Sequence, residues 1–274
     1  MIRKNIERFV SEPRWLWGFL AAVAGSFLIY EATALTSEIS PGNWLGLTYG
    51  WLAALFMYAA SFYGVRRRML HRSLGRSKVW LQFHLYGGTL SAIFVLMHTG
   101  FSLPSGVMNW GLWLLSMWIT VSGLFGVLLQ RWIPKVLASG LSVEAIYERI
   151  PQLVDQIREK SRQTVEACSD PVKDFYRVNI APALTSPAHR LIFFLDVTGG
   201  IQSHLGQFDY LRRVLPADEK ERLHDLQELY RTKLELDAHY TLQQPLRWWL
   251  YTHVPLSLVL LVLILLHIYA VLRF

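Results

Sequence analysis

Five long apolar runs dominate the pattern of hydrophobic and polar positions along this chain. They lie at about 15–35, 45–64, 79–101, 109–131 and 246–274. Each approaches or exceeds the roughly 20 residues that a helix needs to cross a hydrocarbon core about 30 Å thick. The pattern therefore predicts an all-α integral membrane protein whose five transmembrane helices form a bundle.

Residues 132–245 break this pattern and are predicted to form a mostly helical soluble insertion between the fourth and fifth membrane helices. Ser142 is a candidate N-cap for a helix to about residue 165 that Pro151 interrupts, and Asp170 before Pro171 resembles another helix start. A further helix is predicted to follow Pro216. Its apolar stripe at helical spacing consists of Leu223, Leu226, Tyr230 and Leu234. This stripe favours docking of a partner protein, or packing onto the rest of the chain.

These boundaries predict three parts: 1–131 with a basic N-terminal tail and four membrane helices, the soluble insertion 132–245, and the fifth membrane helix 246–274. The first apolar run could also be read as a signal peptide, because the ATA at 32–34 resembles a cleavage site. Its length and its opening residues, Trp15 and Trp17, favour a retained membrane helix instead.

The composition agrees with a membrane protein, with 53% hydrophobic residues and 11 Trp among 274 residues. The net charge of +7 is concentrated in the loop between the second and third helices, which contains Arg66, Arg67, Arg68, Arg72, Arg76 and Lys78. Cytoplasmic loops of membrane proteins are enriched in Lys and Arg, so this charge indicates topology rather than nucleic-acid binding. Arg131 and Lys135 follow the fourth helix on the same side, which predicts a cytoplasmic insertion.

Two of the apolar runs carry a pair of histidines at the same separation. His84 and His98 are 14 residues apart, as are His253 and His267. Fourteen residues turn a helix through about 1400°, close to four full turns, and advance it by about 21 Å. Each helix therefore presents two histidines on one face, one toward each membrane surface. Because both helices run in the same direction, His84 is predicted to meet His253, and His98 to meet His267.

Ionisable residues at membrane depth are costly and usually mark a functional site. A single intramembrane histidine is often an interhelical hydrogen-bonding residue, but an interval repeated on two helices favours metal ligation. Zinc is the weaker interpretation, because it requires four clustered ligands. Haem iron takes two axial ligands from facing helices. The four histidines, His84, His98, His253 and His267, are therefore the predicted ligands of two haems.

Glycines near the ligands are the second feature of the predicted site. Gly87 and Gly88 lie one turn after His84, so they would leave room for a porphyrin or allow ordinary helix packing. Gly123 and Gly126 in the fourth helix carry the same two interpretations. Pro255, two residues after His253, could bend the last helix and aim the ligand, or be a tolerated membrane proline.

The two helices bearing His-x13-His, with a further helix between them in sequence, resemble the transmembrane haem core of ferric reductases, NADPH oxidases and related bacterial b-type cytochromes. The resemblance implies two b-type haems, a bacterial cytoplasmic membrane and electron transfer from one side of the membrane to the other. Those reductases carry flavin and nicotinamide domains after this core, whereas the sequence ends at Phe274. A separate electron donor is therefore expected.

The expected function is that of a di-haem cytochrome b subunit that passes electrons between a quinone pool or protein donor and a redox partner complex. The expected partners are membrane lipid, a quinone and a redox protein such as a cytochrome c, an iron–sulfur protein or a flavoprotein. One alternative is a ferric or oxygen reductase core fed by a separate flavoprotein. The other is a haem-free membrane anchor or transporter subunit.

The remaining candidate residues carry weaker signals. A lone Cys168 allows no disulfide within the chain, no CxxCH haem attachment and no iron–sulfur ligation. The insertion histidines have scattered spacings and are expected to be surface or structural residues; they are His189, His204, His224 and His239. These, with His71 and Arg247, could alternatively contact a haem propionate, a quinone or a donor protein.

Overall fold

The computed structural model describes residues 13–68, 75–141 and 145–273. Its α-helices are, in chain order, α1 (Pro13–Ala34), α2 (Trp44–Arg68), α3 (Ser77–His98), α4 (Val107–Gly140), α5 (Ile150–Glu166), α6 (Asp170–Phe175), α7 (Val197–Leu205), α8 (Asp209–Val214) and α9 (Ala217–Arg273). Short 3₁₀ or π turns occupy Tyr147–Arg149, Tyr176–Ile180, Ala181–Leu184, Leu191–Phe194 and Gly206–Phe208. Every regular element within the described ranges is helical, as the sequence predicted.

Five of these helices, α1 to α4 and α9, are long and apolar enough to cross a membrane. They leave large apolar side chains on the surface: Leu28 is 70% exposed, Trp44 68% and Leu272 72%. An apolar surface of this extent is unfavourable in water and suits a lipid environment. Among the described residues, the number of helices long and apolar enough to span a membrane is the predicted five, which is consistent with an integral membrane protein.

Contacts divide the chain into two compact units. Unit 1 comprises the described residues within Met1–Phe125 and Tyr251–Phe274, and unit 2 those within Gly126–Leu250. Helices α4 and α9 contribute residues to both. Unit 2 is somewhat larger than the predicted insertion 132–245, because Leu129 and Trp249, which flank that range, also pack against its apolar core.

Unit 1 contains the close packing of α2 against α3. Ala53 and Ala60 are buried along α2, and small side chains allow two membrane helices to approach closely. The Ser91 hydroxyl donates a hydrogen bond to the Ala53 carbonyl oxygen over 2.7 Å, which satisfies a polar side chain that is only 1% exposed. Such a contact fixes the rotation of α3, the helix that carries His84 and His98.

Unit 2 has its own apolar core, built from α5 to α8, the end of α4 and the first part of α9. The predicted stripe on α9 is fully used within this core: Leu223, Leu226, Tyr230 and Leu234 are each at most 2% exposed. The stripe therefore packs against the insertion itself. It does not supply the partner-docking surface that the sequence pattern also allowed.

Helices α4 and α9, which contribute residues to both units, are longer than predicted. Helix α4 continues past 131 through Pro134 to Gly140. Pro134 removes one backbone donor, but Ile133, which is 1% exposed, and Val136 pack against the core of unit 2 and favour continuation of the helix. Helix α9 is also continuous from Ala217 to Arg273, where the sequence predicted two helices.

Helix starts in the insertion differ from the prediction, by about two turns for α5 and by one residue for α6. Helix α5 begins at Ile150, so Pro151 lies in its first turn, where the missing donor costs no hydrogen bond. The predicted cap Ser142 lies outside the described residues. Helix α6 begins at Asp170 and has Ser169 at its N-cap, one residue earlier than expected.

Candidate haem-binding site

The four membrane histidines of unit 1 form two pairs. The ring centres of His84 and His253 are 6.4 Å apart, with 76° between the ring planes. Those of His98 and His267 are 6.5 Å apart, with 81° between the planes. The predicted pairing by depth is therefore confirmed, with α3 supplying one member of each pair and α9 the other.

The spacing within each pair matches one metal ion held between two imidazoles. A metal–imidazole nitrogen bond of about 2 Å on each side, plus about 1 Å from each nitrogen to its ring centre, separates the ring centres by about 6 Å. Two rings in a direct N···N hydrogen bond of about 3 Å would be closer by about 1 Å. The observed 6.4 and 6.5 Å are therefore compatible with a metal ion between the two rings of each pair.

In three of the four histidines, a hydrogen bond at Nδ1 leaves Nε2 available for a metal. His84 Nδ1 lies 2.9 Å from the Ala60 carbonyl oxygen, and His98 Nδ1 lies 2.8 Å from that of Gly46. A carbonyl only accepts hydrogen bonds, so each Nδ1 carries the proton and each Nε2 keeps its lone pair. Both acceptors are in α2, which therefore orients the two ligands of α3 from the side.

The third oriented ligand is His253, whose Nδ1 lies 2.9 Å from Ser122 Oγ of α4. The same hydroxyl lies 3.1 Å from the Ile119 carbonyl oxygen. When Ser122 donates to that carbonyl, its oxygen accepts from the Nδ1–H of His253, and Nε2 again remains free. The arrangement resembles the outer contacts that orient metal-bound histidines.

Two glycines make room for the ligand rings. A Cβ on Gly50 would lie 2.9 Å from His98 Nδ1, and a Cβ on Gly123 would lie 3.3 Å from His253 Cε1. Sequence reasoning identified Gly123 but not Gly50. The Gly-x3-Gly spacing of Gly46 and Gly50 in an apolar helix was the signal that would have found it, since this spacing marks close helix approach.

The glycines named from sequence have different surroundings. Gly88 has open space where its Cβ would be, which does not decide between room for a porphyrin and ordinary helix packing. Gly87 is buried, and its Cβ would meet the rings of Phe56 and Phe83 at 3.5 Å, so this glycine fits the helix-packing interpretation. Gly126 is also a packing position, because its Cβ would overlap the indole of Trp249.

A cavity of about 820 Å³ lies beside the His98–His267 pair. Its volume falls within the range of cofactor and small-molecule pockets, roughly 300–1,000 Å³. Apolar side chains such as Trp51, Met57 and Trp113 line it, and Asn109 and Ser116 add polar groups. The cavity also reaches the α1–α2 and α3–α4 loops. Its size, its apolar lining and the presence of His98 and His267 in its wall are compatible with a haem.

Packed apolar side chains occupy the level midway between the two histidine layers. Leu260, seven residues from both His253 and His267, is fully buried and clusters with Met57 and Ile119. The Tyr58 hydroxyl donates a hydrogen bond to the Leu261 carbonyl oxygen and joins α2 to α9 at this level. Packed side chains therefore separate the two histidine layers, and α2 is joined to α9 between them.

The insertion histidines have structural or surface environments. His204 bonds to Arg190 and to the Gly200 carbonyl oxygen, His239 bonds to Gln243, His189 stacks on Tyr240, and His224 is exposed. Arg247 pairs with Glu148 and lies 4.3 Å above the ring of Tyr147. His71 lies outside the described residues. No group of three or more His, Cys, Asp or Glu residues suited to a metal occurs among the residues described.

Comparison with known proteins gives no match: no family model, no curated protein and no solved structure is significantly similar to this chain.

Proposed function

We propose that this protein is a di-haem b-type cytochrome subunit that carries electrons across a membrane. The observation that carries the proposal is the repeated geometry of the two histidine pairs, with ring centres 6.4 and 6.5 Å apart. Four facing imidazoles in two layers are an unusual feature of a membrane interior unless they bind something. The chemistry of the donors, two neutral imidazoles in each layer, suits haem.

The residues of this chain hold and orient the proposed cofactors. His84 and His253 would bind one iron, and His98 and His267 the other. Bound haem would supply one-electron chemistry at an iron that needs no open coordination position. Hydrogen bonds of the protein favour the Nδ1–H tautomer of three imidazoles, apolar side chains exclude water, and the two layers lie about 21 Å apart along the helices. Such a separation spans most of the hydrocarbon core.

The proposed partners are a quinone or protein donor on one side and a redox protein on the other, such as a cytochrome c, an iron–sulfur protein or a flavoprotein. The insertion would lie on the cytoplasmic side of a bacterial inner membrane. Support for this orientation comes from basic residues at the end of α2, in the following loop and at the start of α3, namely Arg66, Arg76 and Lys78, and from Arg131 and Lys135 in α4.

A second candidate function has one observation in its favour. The cavity beside His98 and His267 is lined partly by loop residues, including Pro41, Gly42 and Pro104. A small oxidant that enters between these loops could accept electrons directly, which describes a ferric or oxygen reductase core supplied by a separate flavoprotein. Reoxidation of the purified, reduced protein by ferric chelates or oxygen at a rate that depends on their concentration would favour this function.

An absorption spectrum and a haem assay test the main proposal. The full-length protein, purified in detergent, should contain two non-covalently bound haems per chain and show the alpha band of b-type haem after reduction. Absence of haem from protein produced with sufficient haem supply would instead indicate a haem-free anchor or transporter subunit.

A further inference from the structure

A short segment of unit 2 presents apolar side chains outward. The 3₁₀ turn Leu191–Phe194 and the residue after it form the sequence LIFFL. Leu191 is 78% exposed, Ile192 44% and Leu195 86%, whereas Phe193 is fully buried in the core of unit 2. The segment is therefore anchored by one aromatic ring and displays three aliphatic side chains.

The backbone on both sides of this segment is held in place. The Arg190 amide donates to Thr241 Oγ1 over 3.2 Å, and the Ala188 amide donates to Asp237 Oδ1 over 2.9 Å, which ties the incoming chain to α9. On the other side, Asp196 caps α7 by accepting from the Gly199 amide over 2.8 Å. Leu191 and Leu195 are thus displayed by a defined backbone, and their exposure is a property of the fold.

The segment contacts a membrane-spanning helix. Phe194 stacks on Trp132 of α4, with ring centres 6.3 Å apart and 12° between the planes. Trp132 lies within the candidate span Val107–Ala138. Those 32 residues cover about 48 Å at 1.5 Å per residue, more than the hydrocarbon core of about 30 Å, so turns at one or both ends of the span extend past the core. Phe194 of the LIFFL segment thus lies beside the C-terminal part of this candidate span.

Neighbouring residues of unit 2 support an interfacial level. Trp248 on α9 is 64% exposed, and the indole of Trp249 packs directly on Gly126, less than two turns before Trp132. Basic residues Arg131 and Lys135 flank Trp132 in α4. Exposed tryptophan combined with Lys and Arg is characteristic of the zone between lipid tails and headgroups.

We propose that residues 191–195 insert into the bilayer interface and act as a lipid-binding anchor of unit 2. A lipid surface is the occupant that the observations favour, because the exposed aliphatic side chains belong to a segment that contacts Trp132 near the end of a candidate membrane span, where basic residues flank the indole. The inference depends on membrane placement and is independent of the proposed haems.

Depth-sensitive fluorescence tests the anchor in the full-length protein. Leu195→Cys, and separately Leu191→Cys, would be labelled with an environment-sensitive fluorophore and reconstituted into phosphatidylcholine vesicles. Glu166→Cys is the matched control, since its side chain is 64% exposed on the charged face of α5. Cys168 is buried, so the unsubstituted protein serves as the labelling blank.

Labels at 191 and 195 should be quenched strongly by brominated lipid and weakly by aqueous iodide, and the label at 166 should show the reverse. Iodide quenching at 195 equal to that at 166 would overturn the proposal, because the segment would then face water. Shielding from both quenchers would also overturn it, because a protein surface would then cover the segment.

Discussion

Ser122 Oγ of α4 lies 2.9 Å from Nδ1 of His253 on α9, although the two residues are 131 positions apart in the sequence. Nδ1 of His84 and Nδ1 of His98 instead bond to backbone carbonyl oxygens, and a side-chain substitution cannot remove a backbone acceptor. Ser122 thus offers a way to change the environment of one histidine pair without touching a ligand.

Replacing Ser122 by alanine should alter one redox transition and leave the other unchanged. Removal of the acceptor makes the His253 imidazole less basic and weakens its preference for ferric iron, so the midpoint potential should rise. A tenfold change in the ratio of the affinities for ferric and ferrous iron corresponds to a shift in midpoint potential of about 59 mV for a one-electron couple. Redox titration measures the midpoint potential of each transition, and a haem assay shows that both haems are retained.

Thr120→Ala is the matched control for this prediction, because the Thr120 hydroxyl bonds to the Ser116 carbonyl oxygen on the same helix. Equal shifts in the Ser122→Ala and Thr120→Ala proteins would show that Ser122 has no specific effect on His253.

Gly50→Ala should remove one haem and spare the other. The added Cβ would lie 2.9 Å from Nδ1 of His98, closer than side-chain packing permits, so the ring must move away from its partner. Haem content should fall toward one per chain. Gly64→Ala in the same helix meets nothing within 4 Å and should keep both haems.

Substitutions of the histidines should act in pairs. His84→Ala and His253→Ala are expected to remove the same redox transition, because their rings face each other at 6.4 Å. His98→Ala and His267→Ala should remove the other. Spectroelectrochemistry of the four variants checks the grouping, and a transition lost in common by His84→Ala and His267→Ala would contradict it.

Asp237→Ala should destabilise unit 2 strongly. The Asp237 side chain is fully buried and accepts from Lys233 Nζ at 2.7 Å and from Arg190 Nε at 3.3 Å. Breaking a buried pair leaves an uncompensated charge on Lys233, at a cost of about 3–5 kcal/mol. Thermal unfolding in detergent should show a lower midpoint.

Glu159→Ala is the control for the Asp237 variant. Glu159 pairs with Arg162 on α5, but both side chains are more than half exposed, so water replaces the interaction. A loss of stability in this control as large as in Asp237→Ala would argue against the buried pair as the cause.

The insertion should be inaccessible from outside intact cells. A cysteine introduced at Asp174, whose side chain is 67% exposed, should react with a membrane-impermeant maleimide only after the membrane is opened. The expectation follows from the basic residues around α2, α3 and α4. Labelling in intact cells would reverse the assigned orientation.

The sequence was sufficient to predict the membrane helices and the pairing of histidines because both depend on local helix geometry. An interval of 14 residues is nearly four turns, so His84 and His98 share a face whatever surrounds them. The equal interval on α9, together with the common direction of the two helices, then determines which histidines meet. The buried stripe that includes Leu226 and Leu234 was likewise predictable from its period.

Helix ends and outer contacts were decided by tertiary structure. Local signals favoured an end to α4 near 131 and a break before the last helix, but packing of Ile133 and Leu242 in the core of unit 2 stabilises longer helices. Pro245 is accommodated within α9 for the same reason.

The groups that hydrogen-bond to the histidine rings lie on other helices, far away in the sequence. Periodicity within one helix does not encode such contacts. Ala60, Gly46 and Ser122 lie 24, 52 and 131 residues from the histidines that they contact. The exposure of Leu195 was not predictable from its apolar character either, because the apolar side chain of Phe193, two residues earlier, is buried. Sequence determined which residues could act as ligands, whereas the packing of α2, α4 and α9 decided how each ring is oriented.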